Sequence, residues 1–173
     1  MDVGCVPPDL RQLDAREAEL LICGVFSDER PLHGVAGLVG WRLSGMIDRL
    51  LESGFYTGAP DETLLVPGKP RFCAEKIVLV GLGPRAGFDL QRAERAIERV
   101  VETTRGLDVR SMIVEVPGRH VEAIDAEAGV DALLSALARH GARLDRVTLV
   151  ESAAAHNLVR DRVARARRLA ARG

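Results

Sequence analysis

Lys76-Ile77-Val78-Leu79-Val80-Gly81-Leu82-Gly83-Pro84 reads as a strand running into a tight turn. Its apolar residues follow one another without polar alternation, as in a strand covered on both faces. Downstream, Asp89 is suited to cap a helix whose apolar face is Leu90, Ala93, Ile97, Val100 and Val101. Val109 to Val116 is a second strand, broken by Pro117-Gly118. Val130, Leu133, Leu134 and Leu137 mark one face of a helix that ends at Gly141, and Arg146 to Val150 is a third strand. A final helix runs from Ala153 to Ala171, with Val159, Val163, Ala166 and Ala170 facing inward. Strand and helix thus alternate three times from residue 76. The class this predicts is α/β, a three-layer α/β/α arrangement around a mixed, largely parallel sheet.

Upstream of that unit the pattern is less regular. Residues 1–9, with Pro7 and Pro8, read as a loose tail, and Leu10 to Leu13 as an edge strand. Glu19 to Phe26 is a stronger strand, ended by Ser27-Asp28-Glu29-Arg30. Pro31 is placed to open one helix bearing Val35, Leu38, Val39, Leu43, Met46, Ile47 and Leu50 on a single face, with Gly54 as its stop. Gly34, Gly37, Gly40 and Gly45 weaken that helix, and close packing against a neighbour is the expected reason for them. A short strand is expected at Thr63 to Val66. The main domain is therefore drawn as residues 10–152, followed by a basic helix at 153–173.

The chain of 173 residues is 47% apolar, enough to bury roughly 70% of its unfolded surface in one core. With 25 acids against 24 bases, no global field favours nucleic acid or anionic lipid. Four Phe, one Tyr and one Trp are too few for a base-stacking platform. Cys5, Cys23 and Cys73 are an odd set with no metal-ligand spacing, so reduced thiols and a cytoplasmic location are expected. No window approaches a membrane span. His33, His120, His140 and His156 are scattered, and Ser44 and Ser152 lack a nucleophile-elbow context, so neither a metal nor a catalytic residue is assigned. No cofactor is expected.

Gly81-Leu82-Gly83-Pro84-Arg85 and Pro117-Gly118-Arg119-His120 both follow strands. In a parallel sheet the two turns share its carboxyl edge, where ligands of open α/β sheets sit. Gly81, Gly83, Arg85, Gly118 and Arg119 are thus the candidate residues for a small anion, with backbone N–H groups and two guanidiniums converging on a phosphate or carboxylate. The competing reading is two tight turns that only reverse the chain. Six arginines against Asp161 between Arg160 and Arg172 make the last helix basic, either a solvated face or a surface for an acidic partner.

Three strings, read in order, resemble the N-terminal, macro-domain-like unit of the leucyl aminopeptidase family. They are Ala18-Glu19-Leu20-Leu21-Ile22-Cys23-Gly24-Val25-Phe26, then Phe55-Tyr56-Thr57-Gly58 with Glu62-Thr63-Leu64-Leu65-Val66-Pro67, then Lys76 to Gly83. The resemblance spans residues 10 to 150 and implies a macro-domain-like fold. It also implies that the family's two-metal catalytic half is missing here. Asp125-Ala126-Glu127-Ala128-Gly129 only echoes the family's metal-binding string and reads as a helix start capped by Asp125. The expected role is that of a stand-alone, non-catalytic module in oligomer assembly or regulation, as a homo-oligomer or beside a separate catalytic subunit. The alternative is a module binding ADP-ribose or a related nucleotide, and a weaker one an aminopeptidase-related activity.

Overall fold

In the computed structural model, which describes residues 1–170, the apolar runs become six strands. These are β1 (Asp2–Val6), β2 (Ala18–Phe26), β3 (Thr63–Pro67), β4 (Ala74–Gly83), β5 (Ser111–Glu115) and β6 (Arg146–Val150). They form one sheet in the order β1-β6-β5-β2-β4-β3. All pairings are parallel except β3 with β4, so the sheet is mixed and largely parallel, as the alternation predicts. The central strands β2, β4 and β5 are buried along almost their whole length, which is why their sequences lack polar alternation.

Six helices cover the two faces. α1 (Leu10–Asp14), α2 (Gly34–Arg42) and α3 (Met46–Glu52) lie on one side, where Leu21, Cys23, Val25, Ile77 and Leu79 pack with Leu13, Val35, Val39 and Ile47. α4 (Leu90–Gly106), α5 (Ala126–His140) and α6 (His156–Ala170) lie on the other, where Ile22, Val78 and Val114 meet Ile97, Val101, Leu133 and Val159. The three-layer α/β/α architecture is therefore present. Asp89 Oδ1 accepts the N–H of Arg92 at 2.9 Å and caps α4, while Asp125 Oδ1 accepts that of Ala128 at 2.7 Å and caps α5. Gly141 closes α5 in the left-handed region.

Three expectations need correction. The loose tail at 1–9 is instead β1, paired in parallel with β6 from Asp2 opposite Arg146 to Val6 opposite Val150. Pro7 and Pro8 end this strand rather than disorder what precedes them, since proline cannot extend the ladder. Leu10 to Leu13 is helical because Asp9 caps it, its Oδ1 accepting from Arg11 N at 2.9 Å and Gln12 N at 3.2 Å. The single helix after Pro31 is two, α2 and α3, parted where Ser44 and Gly45 take φ of 58° and 72°. An apolar face that continues through a break looks like one helix in sequence. α6 packs on α5 and β1 through Val159 and Val163. The side-chain position expected of Ala170 and the helix end expected at Ala171 lie outside what the structure describes.

Candidate functional site

The carboxyl ends of β2, β4, β5 and β6 come together at one edge of the sheet, and both glycine turns stand there. At the first, β4 ends in Gly81-Leu82-Gly83 and the chain turns through Arg85 towards α4. Arg92 reaches back from the first turn of α4 to bind the carbonyls of Leu82 and Pro84, both at 2.8 Å, and of Ala86 at 3.0 Å. Its guanidinium also lies over the Phe88 ring, 5.1 Å from the centroid. A Cβ at Gly83 would stand 2.9 Å from Arg92 Nη2 and from Pro60 Cγ. The freed N–H of Arg85 donates to Asp28 Oδ1 at 2.9 Å. This turn is filled by the chain's own side chains.

The second turn is organised by Gly118, whose φ of 83° starts a 3-10 turn over Arg119–Val121. Phe88 packs on Gly118 and meets Phe26 edge-on, with centroids 5.0 Å apart. Arg119 lines a cleft with Glu115 and His120, but its guanidinium is already engaged. Its Nε and Nη2 donate to Glu151 at 2.6 and 2.9 Å, and its Nη1 donates to the carbonyl of Ile124. This bidentate pair, only 11% and 8% exposed at its two side chains, raises the Arg119 pKa above its ordinary value. Arg85 is 54% exposed and its Nη1 is 3.9 Å from Glu29 Oε1. The two arginines thus each face a carboxylate, not each other.

Those carboxylates belong to a cluster that sequence reading passed over. Glu29, Glu115 and Glu151, each buried, stand at the ends of β2, β5 and β6. His120, its side chain 3% exposed, has Nε2 3.0 Å from Glu29 Oε2 and Nδ1 3.6 Å from Glu115 Oε2. His33 Nδ1 lies 3.6 Å from Glu29 Oε1. Glu115 Oε1 accepts the N–H of Val35 at 3.1 Å and so occupies the N-terminus of α2, where His33 supplies no side-chain cap. Gly34, at φ 58°, is required by the same packing, because a Cβ would stand 2.6 Å from His120 Cβ and 2.8 Å from Glu115 Oε1. Burial, and then the nearby Glu151 and Glu29 charges against the Val35 N–H bond and Arg119, push the Glu115 carboxyl up to about 8. Glu29 Oε1 and Glu115 Oε2 are buried without a hydrogen-bond partner. A signal was available: each of the three acids lies at or just beyond the end of an apolar strand.

A similar capture occurs beside β4. Glu62 Oε2 accepts from Thr57 N, Thr57 Oγ1 and Ala59 N at 2.9, 2.8 and 3.1 Å. Against a desolvation cost, these bonds hold its carboxyl below the ordinary value. Burial raises the thiols, Cys5 and Cys73 to about 11 and Cys23 well above its usual value. Among the described residues, no three or more His, Cys, Asp or Glu side chains are grouped to hold a metal ion. No helix among them is long and apolar enough to cross a membrane. The edge can share protons and hold positive charge.

A mixed sheet of this order between two helical layers is a macrodomain-like α/β fold. The macrodomain of Mycobacterium tuberculosis DarG superposes with a TM-score of 0.67 at 19% identity, over 87% of this chain and 98% of that one. A Trypanosoma brucei macrodomain solved in complex with ADP-ribose gives 0.67 at 14% identity, over 91% of this chain and 66% of that one. A mutant of tomato leucine aminopeptidase gives 0.63 at 12% identity, over 87% of this chain and 32% of that one. The model of the cytosol aminopeptidase family, N-terminal domain, matches residues 22–146. The chain belongs to that family. A probable cytosol aminopeptidase of Thermosynechococcus vestitus is 30% identical over 89 residues, which is 51% of this chain and 18% of the relative. One from Burkholderia orbicola is 25% identical over 147 residues, 83% of this chain and 28% of the relative. The chain therefore spans less than a third of the curated relatives it matches.

Proposed function

We propose that this domain is a non-catalytic homologue of the aminopeptidase N-terminal domain that works through association, in a homo-oligomer or with a separate catalytic subunit, in assembly or regulation. The observation that carries this reading is the placement of scarce aromatics. Six are present in the chain, yet Trp41 on α2 and Phe55 just beyond α3 are each 72% exposed. Large aromatic side chains left in water are the anchors around which protein interfaces form. The carboxyl edge supports the same reading, since Glu115 and Asp28 already take N–H groups that an anionic ligand would use. Light scattering after size exclusion tests it, with and without an aminopeptidase catalytic domain supplied in trans. An oligomer or complex that dissociates on Trp41→Ser plus Phe55→Ser is expected. A monomer that ignores the catalytic domain overturns the reading.

A second reading keeps the fold's other association, binding of ADP-ribose or a related nucleotide at Gly81, Gly83, Arg85, Gly118 and Arg119. It is favoured by the half-exposed guanidinium of Arg85 at the sheet edge. Calorimetric titration with ADP-ribose decides it. Micromolar, stoichiometric binding that Arg85→Ala plus Arg119→Ala abolishes would install this reading in place of the first.

A further inference from the structure

We propose that the cleft beyond the ends of β5 and β6 binds a small organic cation, a primary ammonium on a short apolar chain, received by the Glu115 carboxylate. A cavity of about 440 Å3 opens there, with Glu115, Glu151, Glu122, Arg119 and His120 among its polar groups and Leu38 and Val150 among its apolar ones. That volume lies within the range of small-molecule sites. Glu115 is 5% exposed at its side chain, lines the cavity, and leaves Oε2 without a hydrogen-bond partner. Orphaned polar atoms of this kind are rare in folded proteins because each costs the solvation it has lost.

Charge decides the sign of the ligand. Glu151 is neutralised by Arg119, and Glu29 is approached by Arg85, His33 and His120. Glu115 is left with one N–H from α2 on Oε1 and with His120 Nδ1, which at 3.6 Å lies beyond hydrogen-bond reach. The groups facing it are the Cys23 thiol from β2, Glu29 and His33 from the β2–α2 connection, Arg119, His120 and Glu122 from the turn after β5, and Glu151 after β6. An anion arriving here would find the Arg119 guanidinium already committed to Glu151 and the Val35 N–H to Glu115. A metal is not favoured, because no three of these side chains among the described residues are grouped as ligands. An ammonium fits: one N–H donates to Glu115 Oε2, while the alkyl chain lies on Leu38 and Val150.

The carboxyl, at about 8, holds a proton at neutral pH. Binding therefore exchanges that proton for the ammonium and releases it to solvent, with no bond to carbon made or broken. The test titrates the whole chain with n-butylammonium, using 1-butanol and inorganic phosphate as controls. The readouts are amide shifts at Gly34 and Val35 and calorimetry in two buffers of different ionisation heat. Saturable shifts with butylammonium alone are expected, with about one proton released per ligand at pH 7 and affinity rising about fivefold from pH 7 to pH 8. Glu115→Gln should weaken binding by at least about tenfold. No saturation, equal binding of butanol, phosphate at the same amides, or binding without proton release overturns the proposal. The proton count on the native protein decides the matter even where the variant fails to fold.

Discussion

The turn after β4 and the turn after β5 flank the end of β2 and share a composition, glycine followed by arginine, yet they are resolved in opposite ways. After β4 the polar backbone is paid off locally: Arg92 binds three carbonyls and Asp28 takes the Arg85 N–H. After β5 the chain buries charge, and Glu115 Oε2 remains unpaired. The difference teaches that a glycine turn at a strand end is not by itself a ligand cradle. What matters is whether the chain supplies its own partners, and the place where it does not is where function is to be sought.

The largest expected effect comes from the buried pair. Arg119→Ala leaves Glu151 without its counter-ion and should cost about 3–5 kcal/mol in urea unfolding. A loss under about 1 kcal/mol would break the contrast between the two turns. Next is Gly81→Ala, which forces a methyl into the backbone of Ala59 and should cost about 3 kcal/mol by overpacking. Neutral behaviour there would mean that the first turn is looser than its contacts imply.

The third prediction concerns pH. A carboxyl raised from 4.5 to about 8 on folding binds more protons in the native state. Stability should therefore fall as pH rises from about 4.5 to about 8 and level off above. Glu115→Gln, a mimic of the protonated acid, should flatten that part of the profile in thermal melts at a series of pH values. A profile unchanged by the substitution would detach Glu115 from it. The smallest effect is expected of Arg85→Ala, whose half-exposed guanidinium lies 3.9 Å from Glu29 and should contribute under about 1 kcal/mol, measured in the same urea assay.

Much of the fold was legible because its strands are buried on both faces and its helices carry caps. The runs at Glu19 to Phe26 and Lys76 to Val80 had no other reading, and Asp89, Asp125 and Gly141 mark real helix ends. Illegible parts depended on partners distant in sequence. β1 is a strand only because β6 lies beside it, and the break at Ser44-Gly45 leaves the apolar face intact. At the site, Arg85 and Arg119 stand at the carboxyl edge of the sheet. Sequence could not show that Arg119 already holds Glu151, since that pairing is made across 32 positions by the register of β5 on β6. Glu29, Glu115, His33 and His120 meet for the same reason, by topology rather than spacing.

The pairing of Asp2 with Arg146, 144 positions on, also bears on how the molecule is made. Of the six strands described, the earliest to be synthesised is among the last to find its place, because its sheet neighbour among them is β6. At ordinary rates of synthesis that wait lasts about ten seconds or more. During it, the exposed ladder edge and half-apolar face of β1 must avoid other chains, and closing so long a loop is slow. Folding yield should therefore be more sensitive to changes in Val3, Cys5 and Val6 than the small area these side chains cover would suggest.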